Sequence, residues 1–353
     1  MLSETVNDLD YLAARLHGRR SRLAEARRLD ELCRLPNVPE LGRAVYPGNE
    51  FRAIGDFQRR LEEDLCSEMT SFRKHLEGAG ADLLAWMLVR FQVENVKVLL
   101  RRFLRRKPLE AREEYLLPLP HGLALDVAAL MSTRSLEDFT RLLPAGPPRK
   151  SLTEALDIYH DQLRPFFLEA ALDRGYFQEL LTRAKPLTGE DEELVQPILF
   201  QEVDAFHLLL AVRGRFHYDL TPELLLPLHV RGSGIASERF STMLAAPDIP
   251  AAAGLAIGQA IDDLPSEHGP GGASATVDAS LLETLVWRRY ARLSNRAFRR
   301  RHMGLAAVVG YVGIRRVEVA NLITLSQGLG TGMAAETLRA RLHPRLDWES
   351  VHV

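Results

Sequence analysis

The chain offers little for redox or metal chemistry. Its 353 residues include two cysteines, Cys33 and Cys66, and no CxxC pair. A disulfide framework is therefore excluded, and two reduced thiols in a cytosolic protein are the simpler reading. The eleven histidines form no HExxH pattern and no paired metal spacing, and none clusters with a cysteine. Lysine is scarce: Lys74, Lys97, Lys107, Lys150 and Lys185 are the only ones, so the positive charge is almost all arginine. Neither sign of charge is in excess. A formal net charge of -2 makes no case for nucleic acid, which calls for a strongly basic domain. Long apolar runs are missing as well. The best, Leu305 to Ile314, is about half of what a bilayer span requires. The N-terminus, Met1-Leu2-Ser3-Glu4-Thr5, has neither the basic n-region nor the apolar h-region of a signal peptide. We expect no direct membrane span, with any membrane association passing through a protein partner.

What is present is helix. Hydrophobic residues at 46% and charged residues at 26% give the balance of a folded globular protein, which argues against wholesale disorder. Period-2 alternation of β-branched residues is hard to find. Over 11–35, Tyr11, Leu12, Leu16, Leu23, Leu29, Leu32 and Leu35 recur amid arginine and glutamate in a broad amphipathic pattern. Punctuation falls at Pro118 to Gly122, Pro144 to Pro148, Arg231 to Gly234 and Leu264 to Thr276, the last reading as a flexible surface loop.

An internal repeat organises the rest. Residues 91–102 read FQVENVKVLLRR, 203–214 read VDAFHLLLAVRG and 317–328 read VEVANLITLSQG. Stacked without gaps, Asn95, His207 and Asn321 share one column. Asp204 and Glu318 share another, with Gln92 in their place in the first copy. The offsets are 112 and 114 residues, and LLPL recurs at 116–119 and 225–228. Such a period is too long for a solenoid repeat of about 20–45 residues. It predicts three similar all-α domains, 1–122, 123–234 and 235–353.

Few motifs suggest chemistry. The acid-x-x-Asn element puts a carboxylate and an amide on one helical face. Because it recurs once per repeat, satisfaction of backbone groups at a neighbouring helix end explains it better than a ligand site does. Residues 286–301, VWRRYARLSNRAFRRR, place Val286, Tyr290, Leu293 and Ala297 on one face. Arg288, Arg292, Arg296, Arg299 and Arg300 cover another, either as a solvated face or as a docking stripe for an acidic surface. The run Arg101-Arg102 with Arg105-Arg106-Lys107 invites the same two readings. Gly328-Leu329-Gly330-Thr331-Gly332 lacks the Gly-Lys-Ser/Thr ending of a phosphate loop and follows a helix, so it reads as a glycine-closed helix end. Glu190 to Glu193 reads as a solvated loop or a first helical turn. No nucleophile–base pair stands out, and no catalytic residue, cofactor or metal is expected.

At these residues the chain resembles the C subunit of the archaeal and bacterial V/A-type ATPases, related to the d subunit of the eukaryotic V-ATPase. Tyr11-Leu12-Ala13-Ala14-Arg15, followed by Arg19 to Leu23, is similar to that family's first helix. Asn95 to Arg101, Glu202 to Asp204 with Leu208 and Arg213-Gly214, and Gly310-Tyr311 through Glu318 to Leu322 resemble its three repeat elements. Ala171 to Arg174 with Tyr176, Phe177, Leu180 and Leu181 is similar to its mid-chain helix. His207 departs from the family's Asn and Gln92 from its acid. The resemblance implies three helical domains around a pseudo-threefold axis, forming a funnel. It also implies a rotor role between the central shaft subunits (D and F type) and the membrane proteolipid ring. A helical enzyme with an inter-domain cleft, and a generic helical scaffold, are the competing readings.

Overall fold

The computed structural model describes residues 2–51, 53–105, 116–158, 165–265 and 277–343. The far part of the stretch expected as a loop, 266–276, lies outside these, as do Arg106 and Lys107 of the second basic run. The described chain is all-α, with a single isolated bridge between Ile257 and Ile261.

After α1 (Leu2–Arg20), one order of elements recurs three times: two short helices, then two long ones. The first set is α2 (Ala26–Cys33), α3 (Val38–Val45), α4 (Ile54–Arg73) and α5 (Gly78–Leu104). After α6 (Val127–Ser132) comes the second: α7 (Leu136–Leu142), α8 (Pro147–Leu156), α9 (Pro165–Ala184) and α10 (Gly189–Leu210), the last continuing as a π-type turn through Ala211–His217. After α11 (Pro222–Leu225) comes the third: α12 (Ser237–Ala245), α13 (Ile249–Gly254), α14 (Ala279–Arg300) and α15 (Leu305–Gly330). The short α16 (Ala335–Ala340) follows.

Local chemistry repeats with the order. The second short helix of each set has proline in its first turn, where a missing N–H costs nothing. Asn37 and Asp248 cap two of these helices, accepting from the N–H groups of Glu40 and Ala251. The turns between the long helices, residues 74–77, 185–188 and 301–304, each lead into the second helix through a glycine at positive φ. These are Gly78 at 54°, Gly189 at 61° and Gly304 at 84°, a conformation glycine adopts without a Cβ penalty. The acids Glu190, Asp191 and Glu192 occupy the first turn of α10, where the helix dipole favours negative charge.

The chain divides into two compact units, one holding the chain up to Glu77 and from Tyr290 onward, the other most of Gly78 to Arg289. In the first unit α4 packs on α15. Every residue from Leu305 to Arg315 is buried, so the longest apolar run in the sequence is a core helix. In the second unit α9 packs on both α5 and α8. Phe57, Phe72 and Tyr311 in one core, and Phe139, Phe167 and Phe240 in the other, are essentially inaccessible to water. Each such side chain contributes about 1.5–3 kcal/mol by burial.

One amphipathic pattern proves to be two helices. The stretch 11–35 breaks after Arg20 because the Ala24 N–H is captured by the Glu318 carboxylate, and Ala26 enters α2 at φ 43°. Among the described residues, Gly189–His217 is long and apolar enough to cross a membrane. Since 72% of its most apolar window is buried within the protein, it reads as a core helix.

Candidate functional site

Each repeat element lies on the second long helix of its set: Asn95 on α5, His207 on α10 and Asn321 on α15, all buried. In the acid column, all three side chains grip the backbone of a segment outside their own helix. Gln92 donates to the Leu123 carbonyl at 2.8 Å, Asp204 accepts from the Ile235 N–H at 2.8 Å, and Glu318 accepts from the Ala24 N–H. The next column repeats the action. Asn321 donates to the His343 carbonyl at 2.6 Å and accepts from its N–H at 2.7 Å, a two-point clamp. His207 accepts through Nε2 from the Val230 N–H at 2.9 Å. These five side chains thus pair backbone groups that burial would otherwise leave without water or a partner. The structure brings Asp204 and His207 together on α10, and Glu318 and Asn321 together on α15. The two pairs belong to different compact units.

Burial shapes the electrostatics here. It pushes the Asp204 carboxyl up to about 6, against the pull of the Ile235 and Gly234 N–H groups. A Cβ at Gly234 would collide with the Asp204 carboxylate, so glycine is needed for this approach. Burial, aided by His229 stacked at 4.6 Å, pushes His207 down to about 3. Around Glu318, Arg315 pairs with both Glu318 and Glu68, and Tyr311 donates to Glu68 at 2.9 Å. Burial opposes the charge on Arg315, but the two carboxylates outweigh it and raise its pKa.

A buried pair on α5 went unread in the sequence. Lys97 meets Asp173 of α9 at 2.5 Å and Glu94 at 3.1 Å. Burial works against its charge, yet Asp173 and Glu94 more than compensate and keep it protonated. The signal was available: in a chain so poor in lysine, one stands inside the apolar run of a repeat element. The pairing with Asp173 is a tertiary fact.

The basic residues divide by partner. On α14, Val286, Tyr290 and Ala297 are buried while Arg288, Arg292, Arg296 and Arg299 are exposed. Arg288 pairs with Asp263 at 2.6 Å within the chain. Arg20 loses basicity, first through burial and then through the nearby Arg299 charge. Arg101 makes a two-point pair with Glu169 at 2.6 and 2.8 Å, and Arg105 is exposed.

The glycine run near the C-terminus serves packing. Gly328 and Gly330 are in the last turn of α15 and Gly332, at φ 71°, follows the helix end. Gly328 lies against Leu338 just as Gly214, in the same column of the second copy, lies against Leu225. Both permit close passage of a following helix. Among the described residues no three His, Cys, Asp or Glu side chains converge as a metal site requires.

Comparison with known proteins gives a consistent result. The profile of the ATP synthase (C/AC39) subunit family matches residues 12–341. A protein of Methanosphaera stadtmanae described as the C subunit of an A-type ATP synthase is 20% identical over 318 residues, covering 88% of this chain and 81% of its own. Its namesake from Haloferax volcanii is 23% identical over 350 residues, 94% of this chain and 97% of that one. That of Methanobrevibacter smithii is 22% identical over 330 residues, 88% and 81% respectively.

Proposed function

Because this chain belongs to the ATP synthase (C/AC39) subunit family, we propose that it is a non-catalytic rotor subunit of a rotary ATPase, joining the central shaft to the membrane proteolipid ring. Its partners are then shaft subunits of the D and F type on one side and the ring on the other. Its place is the cytoplasmic face of the membrane, reached through the complex. It rotates with both partners and carries torque between ATP turnover and ion translocation.

The observation that carries this reading is the thrice-repeated order of helices pinned by buried polar side chains. A torque-bearing link must not yield between its ends. A side chain that clamps the backbone of a distant segment resists shear in a way that apolar contact alone does not, because hydrogen bonds fix direction as well as distance. Gln92, Asp204, Glu318, His207 and Asn321 each supply such a clamp. We read the sets as three domains, 1–122, 123–234 and 235–353.

Docking needs exposed groups. The α14 stripe, Arg288, Arg292, Arg296 and Arg299, with Arg101 and Arg105 as a second basic patch, suits an acidic partner surface that it would steer and orient. The test is co-purification and reconstitution with shaft and proteolipid subunits, using the wild type and an Arg292→Glu/Arg296→Glu variant. The variant should fold normally and bind about tenfold or more weakly, with wild-type binding falling as salt rises. Failure of the wild type to co-purify with either partner would overturn the rotor assignment. Equal binding by the folded variant would remove the stripe from the interface.

A further inference from the structure

The second unit contains a half-open cleft of about 970 Å³ between α8, α9, α10 and the 231–232 loop, which the rotor reading does not use. We propose that this cleft binds a small phosphate-bearing anion. The argument begins with its charges. Lys150 of α8, Lys185 just past α9 and Arg231 of the loop all line it, and among the described residues none of these three cationic groups has an ion-pair or hydrogen-bond partner. The two carboxylates at its wall are already committed. Glu154 holds Arg174 at 3.1 Å and Glu179 holds Arg183 at 2.9 Å, so the unneutralised charge is positive. Arg174 also lines the cleft, and its Nε–H is buried with no acceptor. A buried donor without a partner costs free energy that an anion seated there would recover.

The cleft is built, since its loop wall is fixed in place. Gln178 accepts from the Arg231 N–H at 3.0 Å and donates to the Arg231 carbonyl at 3.3 Å, and Gly232 turns the chain at φ 83°. The cations approach from three different elements, which suits a tetrahedral oxyanion better than a planar carboxylate. Two of the five lysines in an arginine-dominated chain lie here, and lysine offers a compact, rotatable ammonium where a guanidinium fork would need one matching plane. Leu199 and Phe200 add an apolar wall. The volume is at the upper end of small-molecule sites, leaving room for an organic group beyond the phosphate.

Isothermal titration of the full chain with pyrophosphate, and separately with ADP, tests this. We expect saturable one-to-one binding of pyrophosphate, weakened about tenfold or more by Lys150→Ala/Lys185→Ala and again by Arg231→Ala, and several-fold by raising sodium chloride from about 50 to about 300 mM. Tighter binding of ADP would identify the occupant as a nucleotide, and equal binding would assign recognition to the phosphates alone. Circular dichroism melting of each variant establishes that the fold is retained. Absence of saturable heat with either probe overturns the proposal. So does unchanged affinity in the folded variants, or equal binding of a glutamate hexapeptide, which would mean that the cleft reads charge and not phosphate. None of these outcomes depends on the rotor partners.

Discussion

The pair Asp204 and His207, one helical turn apart on α10, carries two opposed pH dependences, each masking the other. His207 is fully buried, and the Val230 N–H points at its Nε2, so the neutral ring must carry its proton on Nδ1. Charging the ring would set an N–H against an N–H beside His229. Its pKa accordingly falls from 6.5 to about 3 in the folded protein. Between those values the unfolded chain holds a proton that the native chain refuses, so acidification favours unfolding by about 1.4 kcal/mol per pH unit. Asp204 acts in the opposite sense. With its pKa raised from 3.8 to about 6, the folded carboxyl takes up a proton while the unfolded one stays charged, and acidification favours folding across that window. From about pH 6 to 4 the two slopes cancel. Removing one exposes the other. His207→Asn, which installs the amide found in this column in the other two copies, should gain about 3 kcal/mol relative to wild type between about pH 7 and 4. Asp204→Asn should lose about 2 kcal/mol over the same interval. Urea denaturation followed by circular dichroism at unit steps across that interval measures both. Two variant profiles running parallel to the wild type would refute the assignment of buried, oppositely shifted groups.

Two other perturbations test the packing. Lys97→Ala leaves Asp173 and Glu94 without their shared ammonium group; truncating one partner of a buried pair costs about 3–5 kcal/mol, read as a lowered urea midpoint at neutral pH. An unchanged midpoint would mean that the pair is solvated. Gly310→Ala would place a Cβ 2.6 Å from the Phe298 nitrogen and 2.8 Å from the Ser294 carbonyl, backbone atoms of α14 that cannot turn aside. Overpacking of this kind costs about 1–3 kcal/mol. Gly254→Ala, with open space around it, should be neutral or slightly stabilising, and equal effects at the two glycines would contradict the close approach of α14 and α15.

Much of the fold was legible because helical periodicity and turn chemistry are local. The all-α class, the helix carrying each repeat element and the glycine-closed end of α15 follow from spacing and residue type alone, whereas Glu190 to Glu193 fitted a loop as well as the first turn that Glu190, Asp191 and Glu192 occupy. The amphipathic division of α14 follows likewise, since every fourth residue falls on the same side. The repeat was visible too, since a gap-free column needs no coordinates. Its meaning was only partly so. A glutamate on a helix face does not reveal that its acceptor oxygen will meet the N–H of Ala24, almost the whole chain away, or that this contact ends a helix that periodicity would have continued through residue 35.

The same limit governs charge. Sequence makes Arg101 and Arg105 look alike, and both are exposed, yet it does not show that Arg101 is held by Glu169. It makes Lys97 look misplaced until Asp173 arrives from α9, and it gives no reason for Lys150, Lys185 and Arg231 to share a cleft. Residue type and periodicity decided which side of each helix faces inward, because burial of apolar area depends on what a side chain is. Which polar groups found partners was decided by tertiary structure alone, because a hydrogen bond or ion pair acts over a few ångströms and its partner is fixed by the path of the whole chain.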